Sequence, residues 1–181
     1  MAVRVSIKDK AYLECQEAAQ KMWCSSKPGI YGKGLLNTKI DKFKTERLGR
    51  LGEMALSIYT GKPVDFLYKE FGDSGDLLDT KAIDIKTASK NYGKILIQAI
   101  TEYGYPIKLK SDYYIGAYCE YDSLQEKVAK IILMGWIKKE RIIGRSVVPA
   151  IKGLHKNYEI SYNELYPIET FKEELDGKAK N

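Results

Sequence analysis

Apolar residues recur at helical spacing in two segments near the start of the chain. In residues 6–24 they fall on one face, at Ile7, Ala11, Cys15, Ala18 and Met22. This spacing predicts an amphipathic helix over residues 6–24. Ser6 followed by Asp9 resembles a capping box at its start, and the sequence Ser-Ser-Lys-Pro-Gly over residues 25–29 ends it.

A second stripe, which includes Phe43, Arg47 and Leu51, predicts a helix over residues 41–60. Gly61 and Pro63 end it. Gly49 and Gly52 lie inside this helix, where each costs about 1 kcal/mol relative to alanine. We therefore expect a packing reason for both glycines, such as close approach to a sheet.

After Pro63 the apolar period changes from that of a helix to that of a strand. Strands are predicted over residues 64–71, 76–78, 82–88, 94–100, 112–120 and 127–134. The separations between the first of them are short, which favours hairpins over parallel crossovers.

In the remaining part of the chain, from residue 136, the pattern predicts several short elements. A short helix is expected over 136–143, a basic loop over 149–157 and a short strand over 158–160. Ser161 with Glu164 forms a capping-box signature before a final helix at 168–175. The whole pattern predicts one α/β (α+β) domain over residues 1–181. Its N-terminal helix is 6–24, its mixed-sheet core about 40–137, and its basic loop and C-terminal helix 138–181.

Composition narrows the class of protein. The chain has 181 residues, 44% of them hydrophobic and 30% charged, which excludes a mainly disordered protein. No uncharged apolar run is long enough for a membrane span, residues 1–10 lack the apolar region of a secretory signal, and the three cysteines form no disulfide or zinc pattern. We expect a cytoplasmic protein without membrane partners. The single histidine, His155, argues against a histidine-based site.

Charge is unevenly distributed within a net charge of +6. Residues 138–156 carry six basic side chains and one acidic one, whereas residues 64–85 carry six acidic and two basic. An acidic segment in a basic chain indicates metal ions on one patch and a polyanion on another. The alternative is that both segments are solvated surface.

The acidic segment contains a pattern with chemical meaning. Asp84 and Lys86 share one face of a predicted strand, about 6.6 Å apart along it. If residues 79–81 form a three-residue turn, Asp76 lies opposite Asp84, with Cβ atoms about 4.5–5.5 Å apart. Two opposed carboxylates repel unless a cation such as Mg²⁺ lies between them. A four-residue turn would put Asp76 on the other face, and Asp73 and Asp79 are rival aspartates.

Asp76 together with Asp84-Ile85-Lys86 resembles the signature of the PD-(D/E)xK nuclease superfamily, which has the restriction-endonuclease-like fold. The likeness to compact phage and prokaryotic members covers roughly residues 40–137, and Glu53 stands where that family has an acidic residue on its preceding helix. Gly75 stands where the family name has proline. Gln98 matches a position at which some members carry a polar helper.

The resemblance implies Mg²⁺-dependent hydrolysis of DNA phosphodiester bonds, with Mn²⁺ as a substitute, by an endonuclease that acts as a homodimer. The phage members extend the expected location to the cytoplasm of a host cell. The metal ligands would be Asp76, Asp84, Glu53 and the main-chain carbonyl of Ile85. Lys86 would orient the attacking water and offset transition-state charge.

Basic and aromatic residues near this pattern are candidate DNA contacts. They are Lys90, Asn91, Tyr92 and Lys94, and also Lys138, Lys139 and Arg141 of the predicted short helix. An ordinary polar turn and a solvated helix face are the alternatives. Two other functions are alternatives: a catalytically inactive nucleic-acid-binding module of the same fold, and an adaptor protein. For Glu53 the alternative is an exposed helix residue paired with Arg50 or Arg47.

Overall fold

A computed structural model describes residues 2–25, 39–64, 66, 82–101, 103–149 and 156–177. These residues contain seven strands and three α-helices, which confirms the predicted α+β class. The strands are β1 (Val3–Lys8), β2 (Ile83–Ala88), β3 (Lys94–Ile100), β4 (Tyr113–Ser123), β5 (Val128–Lys138), β6 (Val147–Pro149) and β7 (Lys156–Ser161). The helices are α1 (Asp9–Ser25), α2 (Lys39–Thr60) and α3 (Phe171–Leu175).

The larger sheet is mixed and has the strand order β1-β5-β4-β2. Strand β5 is antiparallel to both β1 and β4, whereas β2 is parallel to β4, with Ile85 in register with Ile115. The smaller sheet has the order β3-β7-β6 and is antiparallel. The hairpin expectation is therefore wrong for β2 and β3, which are close in sequence but join different sheets.

Burial explains why β2 and β3 separate. Ile83 and Ile85 of β2 belong to a core under α1 and α2, whereas Ile95 and Ile97 of β3 belong to a second core between the two sheets. Tyr114 of β4 lies in that second core. Each strand thus buries its apolar side chains in a different core, which a two-stranded hairpin would prevent.

Helix α2 comes very close to β2 at Gly52. A Cβ atom at this position would lie 1.8 Å from Oγ1 of Thr87, so only glycine fits here. The predicted packing reason is confirmed for Gly52. It is wrong for Gly49, where a Cβ atom would have nothing within 4 Å.

Several predicted boundaries are corrected by the structure. The first helix begins at Asp9, because Ser6 lies in β1 and pairs with Lys130 of β5, so the predicted capping box does not form. Trp136 belongs to β5, and the helix predicted over 136–143 is only a 3₁₀ turn at Lys139–Arg141.

The C-terminal part keeps its predicted cap. Ser161 and Glu164 form the capping box, although it begins a 3₁₀ helix, Tyr162–Glu164. The final helix is a 3₁₀ turn, Ile168–Thr170, followed by α3. The predicted strand at 76–78 lies outside the described residues, as does most of the strand at 64–71. None of the helices that the structure describes has the length and apolar character needed to cross a membrane.

Candidate functional site

Asp84 and Lys86 lie side by side on β2, as their spacing predicts. Nζ of Lys86 is 2.7 Å from Oδ2 of Asp84, and the two side chains are 39% and 28% exposed, respectively. An ion pair with this exposure is open to solvent and to a ligand. The pair contributes little to stability, since exposed ion pairs are worth at most about 1 kcal/mol.

The pair faces away from α2. Parallel register places Asp84 beside Tyr114 and Lys86 beside Gly116 of β4. Tyr114 is buried in the core between the two sheets, where burial, with a further contribution from the Asp84 charge, raises its pKa to about 12. Asp84 and Lys86 therefore lie on the face of the main sheet that carries the smaller sheet.

Glu53 lies on the other side of β2. Its carboxylate accepts a 2.6 Å bond from Nη1 of Arg50, and the residue is only 8% exposed. The alternative of a pair with Arg50 is confirmed, but the pair is buried rather than exposed. Burial, with Glu53 adding its charge, raises the pKa of the Cys15 thiol in α1 to about 12.

The chemistry of the described donors fits a hard divalent cation in part. The Asp84 carboxylate and the neighbouring main-chain carbonyl of Ile85 are oxygen donors, which Mg²⁺ prefers. Within the described ranges, no three histidine, cysteine or acidic side chains gather into a metal-binding group. Asp76, which a three-residue turn would place opposite Asp84, lies outside the described residues, as do Asp73 and Asp79.

Gln98 is not brought to this site. Its side chain is on the exposed face of β3, whereas Ile97 and Ala99 on the opposite face are buried. Because Ile97 packs into the core between the sheets, Gln98 points away from the main sheet and from Asp84. The helper role of Gln98 stays a prediction, and this orientation gives it no support.

The turn after β2 presents a lysine and an aromatic ring to solvent. Nζ of Lys90 lies 5.1 Å from the ring centroid of Tyr92, which is 54% exposed. Asn91 shapes the turn, since its Oδ1 accepts a 2.9 Å bond from the Gly93 amide. Lys94, at the start of β3, forms a 2.7 Å ion pair with Glu159.

The three basic residues after β5 have partners within the protein. Lys138 pairs with Glu174 at 2.8 Å and Lys139 with Asp112 at 2.9 Å, and each carboxylate raises the pKa of its lysine. Nη1 of Arg141 donates to the Tyr166 hydroxyl at 2.7 Å. These interactions connect the three basic residues to the C-terminal segment and to the residue before β4, so their charges are partly neutralised within the protein.

Sequence reasoning missed a buried polar cluster at the other end of β4. Nη2 of Arg47 donates to Oδ2 of Asp122 at 2.5 Å, and the Tyr12 hydroxyl donates to Oδ1 at 2.8 Å. The available signal was Arg47 itself, an arginine at an apolar position of the α2 stripe.

No known protein family, curated protein or solved structure matches this chain.

Proposed function

We propose that the protein is a Mg²⁺-dependent nuclease of the PD-(D/E)xK type that hydrolyses DNA phosphodiester bonds, with Mn²⁺ able to replace Mg²⁺. One observation carries the proposal: the half-exposed Asp84–Lys86 pair on β2. An acidic residue and a lysine on one strand face supply a metal ligand and a cation for the same reacting phosphate. The exposed Lys90–Tyr92 turn at the end of this strand provides DNA contacts.

In this proposal each residue has a distinct role. Asp84 and the Ile85 carbonyl would hold Mg²⁺ together with Asp76, which lies outside the described residues. When bound, the metal polarises the scissile phosphate and lowers the pKa of a water molecule. Lys86 would orient the attacking water through its ammonium group and stabilise the negative charge that grows on the phosphate oxygens. The resemblance also makes Glu53 a ligand, but its carboxylate lies on the other side of β2, where Arg50 holds it.

The test is cleavage of supercoiled plasmid by the purified protein in Mg²⁺, in Mn²⁺ and in EDTA. We expect nicking or linearisation in both metals and none in EDTA. Lys86→Ala should lower the cleavage rate about 10²–10³-fold, the usual cost of removing one group that stabilises transition-state charge. Asp84→Asn, which removes a charged metal ligand, should lower the rate at least as much. Glu53→Gln, assayed in parallel, shows whether that carboxylate belongs to the site.

The Arg4–Glu120 pair provides matched controls. It joins two strands with a 2.7 Å contact, and its side chains are 61% and 34% exposed. Arg4→Ala and Glu120→Gln should cleave like the wild type. Full activity of both Lys86→Ala and Asp84→Asn would refute the proposal, and DNA binding without cleavage in either metal would favour the inactive binding module.

The resemblance also implies a homodimer. Sedimentation velocity of the free protein, and of the protein mixed with a short duplex, measures its assembly state. A dimer in either sample supports this part of the proposal, and a monomer in both removes it without affecting the chemistry.

A further inference from the structure

A cavity lies where the parallel strands β2 and β4 reach their carboxyl ends. The N-terminal half of α2 covers it, and its volume is about 560 Å³, within the usual range of small-molecule sites. Among the residues around it are Lys44, Thr45, Arg47, Ser89, Cys119 and Asp122. The carboxyl ends of parallel strands are a common place for ligands in α/β proteins.

Arg47 is the unusual member of this lining. Its side chain is only 8% exposed, and one nitrogen, Nη2, donates to Asp122. Its Nε and Nη1 atoms are enclosed, yet neither has a hydrogen-bond partner in the described part of the chain. Buried guanidinium donors are normally paired, so two unpaired ones in the wall of a cavity would pair with an acceptor that enters it once a small side-chain shift exposes them.

The charges around the cavity favour an anion as this acceptor. Asp122 already accepts bonds from Arg47 and Tyr12, and Glu120 is paired with Arg4. Lys44 is exposed at the edge of the cavity and has no ion-pair partner among the described residues. Ser89 adds a hydroxyl donor. A phosphate group suits such donors, because guanidinium and ammonium groups bind its oxygens with strong charge-assisted hydrogen bonds.

We propose that this cavity binds the phosphate group of a small phosphate ester of about nucleotide size. The phosphate lies against Arg47, Lys44 and Ser89, and the ester group lies towards Leu48 and the Tyr121 ring, which also line the cavity. The same donors would bind a phosphate of a DNA strand, so the test includes both sources. This site is separate from the proposed nuclease centre, because the two lie on opposite faces of β2. Thr87, at the end of β2 near the cavity, faces α2, whereas Asp84 and Lys86 face the smaller sheet.

Calorimetric titration tests the proposal with three probes: inorganic phosphate, a nucleoside monophosphate and an oligonucleotide without terminal phosphates. We expect saturable binding of phosphate and at least tenfold tighter binding of the nucleoside monophosphate. Oligonucleotide binding that depends on Lys44, without binding of the monophosphate, would assign the donors to a DNA strand and reject the small ester. All titrations are run in EDTA, so their result does not depend on nuclease activity.

Variants connect the binding to the cavity. Lys44→Ala and Ser89→Ala should each weaken phosphate binding about three- to tenfold. Lys108→Ala, an exposed lysine that precedes the opposite end of β4, is the matched control and should bind like the wild type. Arg47→Met combined with Asp122→Asn removes both buried charges together and should abolish phosphate binding while the melting curve stays cooperative. Phosphate affinities equal to wild type in the Lys44 and Ser89 variants, or no saturable binding by the wild type, would overturn the proposal.

Discussion

At the scale of single residues, Gly52 and Gly49 form a natural comparison within one helix. Replacing Gly52 by alanine places a Cβ atom 1.8 Å from Oγ1 and 3.0 Å from Cβ of Thr87, whose branched side chain has few alternatives. We expect Gly52→Ala to lower the free energy of unfolding by about 1–3 kcal/mol, as overpacking does. Urea denaturation measures it.

Gly49→Ala is the control for this effect. No atom lies within 4 Å of the added Cβ, so only the helix preference of alanine remains, and stability should rise by about 1 kcal/mol. Adding Thr87→Ala to Gly52→Ala should recover part of the loss. Equal stabilisation by both single glycine replacements would mean that α2 does not touch β2 closely at Gly52.

The three cysteines should differ in reactivity. Burial raises the pKa of Cys15 to about 12 and that of Cys119 to about 11, with the Asp122 charge adding to the second shift. At pH 8 only about one thiol in a thousand is then ionised at Cys119, and the thiolate is the reactive form. Iodoacetamide at pH 8 should therefore modify the exposed Cys24 first.

Mass spectrometry of timed samples checks this order. Because the pH stays below the pKa of Cys119, its labelling rate should rise about tenfold with each pH unit up to about 11. Cys15, which is fully buried, should react only when the protein unfolds. Labelling of Cys119 as fast as Cys24 at pH 8 would contradict the burial of its thiol.

At the scale of elements, the apolar periodicity predicted whether a segment is a helix or a strand better than it predicted which strands pair. The alternation in β2 and β3 predicted both strands, and it also put Asp84 and Lys86 on one face. It could not predict that β2 would pair in parallel with β4, because that choice depends on which core each apolar face enters. At Ser6 the pattern did not predict even the type of element. The apolar residues Val5 and Ile7 fit both a strand and a helix pattern, and it is the pairing of this segment with β5 that makes it a strand.

Arg47 and Asp122 connect elements that are distant in sequence, since Arg47 lies in α2, Asp122 in β4, and Tyr12, which donates to Asp122, in α1. Asp122→Ala leaves the buried guanidinium without its carboxylate, which should cost about 3–5 kcal/mol of unfolding free energy. Tyr12→Phe removes only one hydrogen bond to a charged group and should cost about 2 kcal/mol.

Glu120→Ala is the matched control for this cluster. Glu120 is close to Asp122 in sequence but is exposed rather than buried. Glu120→Ala breaks only the exposed contact with Arg4, so it should lower the free energy of unfolding by less than about 1 kcal/mol. Thermal and urea unfolding of the three variants provide the comparison. A cost for Asp122→Ala no larger than that of Glu120→Ala would show that Arg47 does not depend on this carboxylate.

At the scale of the whole molecule, the candidate site divides into what local pattern predicts and what packing decides. The Asp84–Lys86 pair follows from strand alternation alone. The orientation of Gln98, the buried position of Glu53 and the cavity beside Arg47 all depend on how α2 and the smaller sheet cover opposite faces of the main sheet. Sequence spacing carries no information on that arrangement.

The proposed DNA binding would depend on the whole charged surface, and the structure separates its basic residues into two groups. Lys90 is exposed, lies over the ring of Tyr92 and has no ion-pair partner among the described residues, whereas Lys139 is paired with Asp112 at 2.9 Å. Each phosphate contact contributes a slope of about 0.9 to the dependence of log affinity on log salt concentration. We therefore expect Lys90→Ala to reduce this slope by about 1, and Lys139→Ala to leave it unchanged.

Fluorescence anisotropy with a labelled duplex in EDTA, over a series of salt concentrations, measures both slopes without cleavage. Tyr92→Ala should weaken binding at every salt concentration by about 1–3 kcal/mol if its ring stacks on a base, while leaving the slope unchanged, because it removes no charge. Equal slopes for wild type and Lys90→Ala would place the DNA away from the turn after β2. A smaller slope for Lys139→Ala alone would move it to the surface around the start of β4, where the ion pair with Asp112 would then have to open on binding.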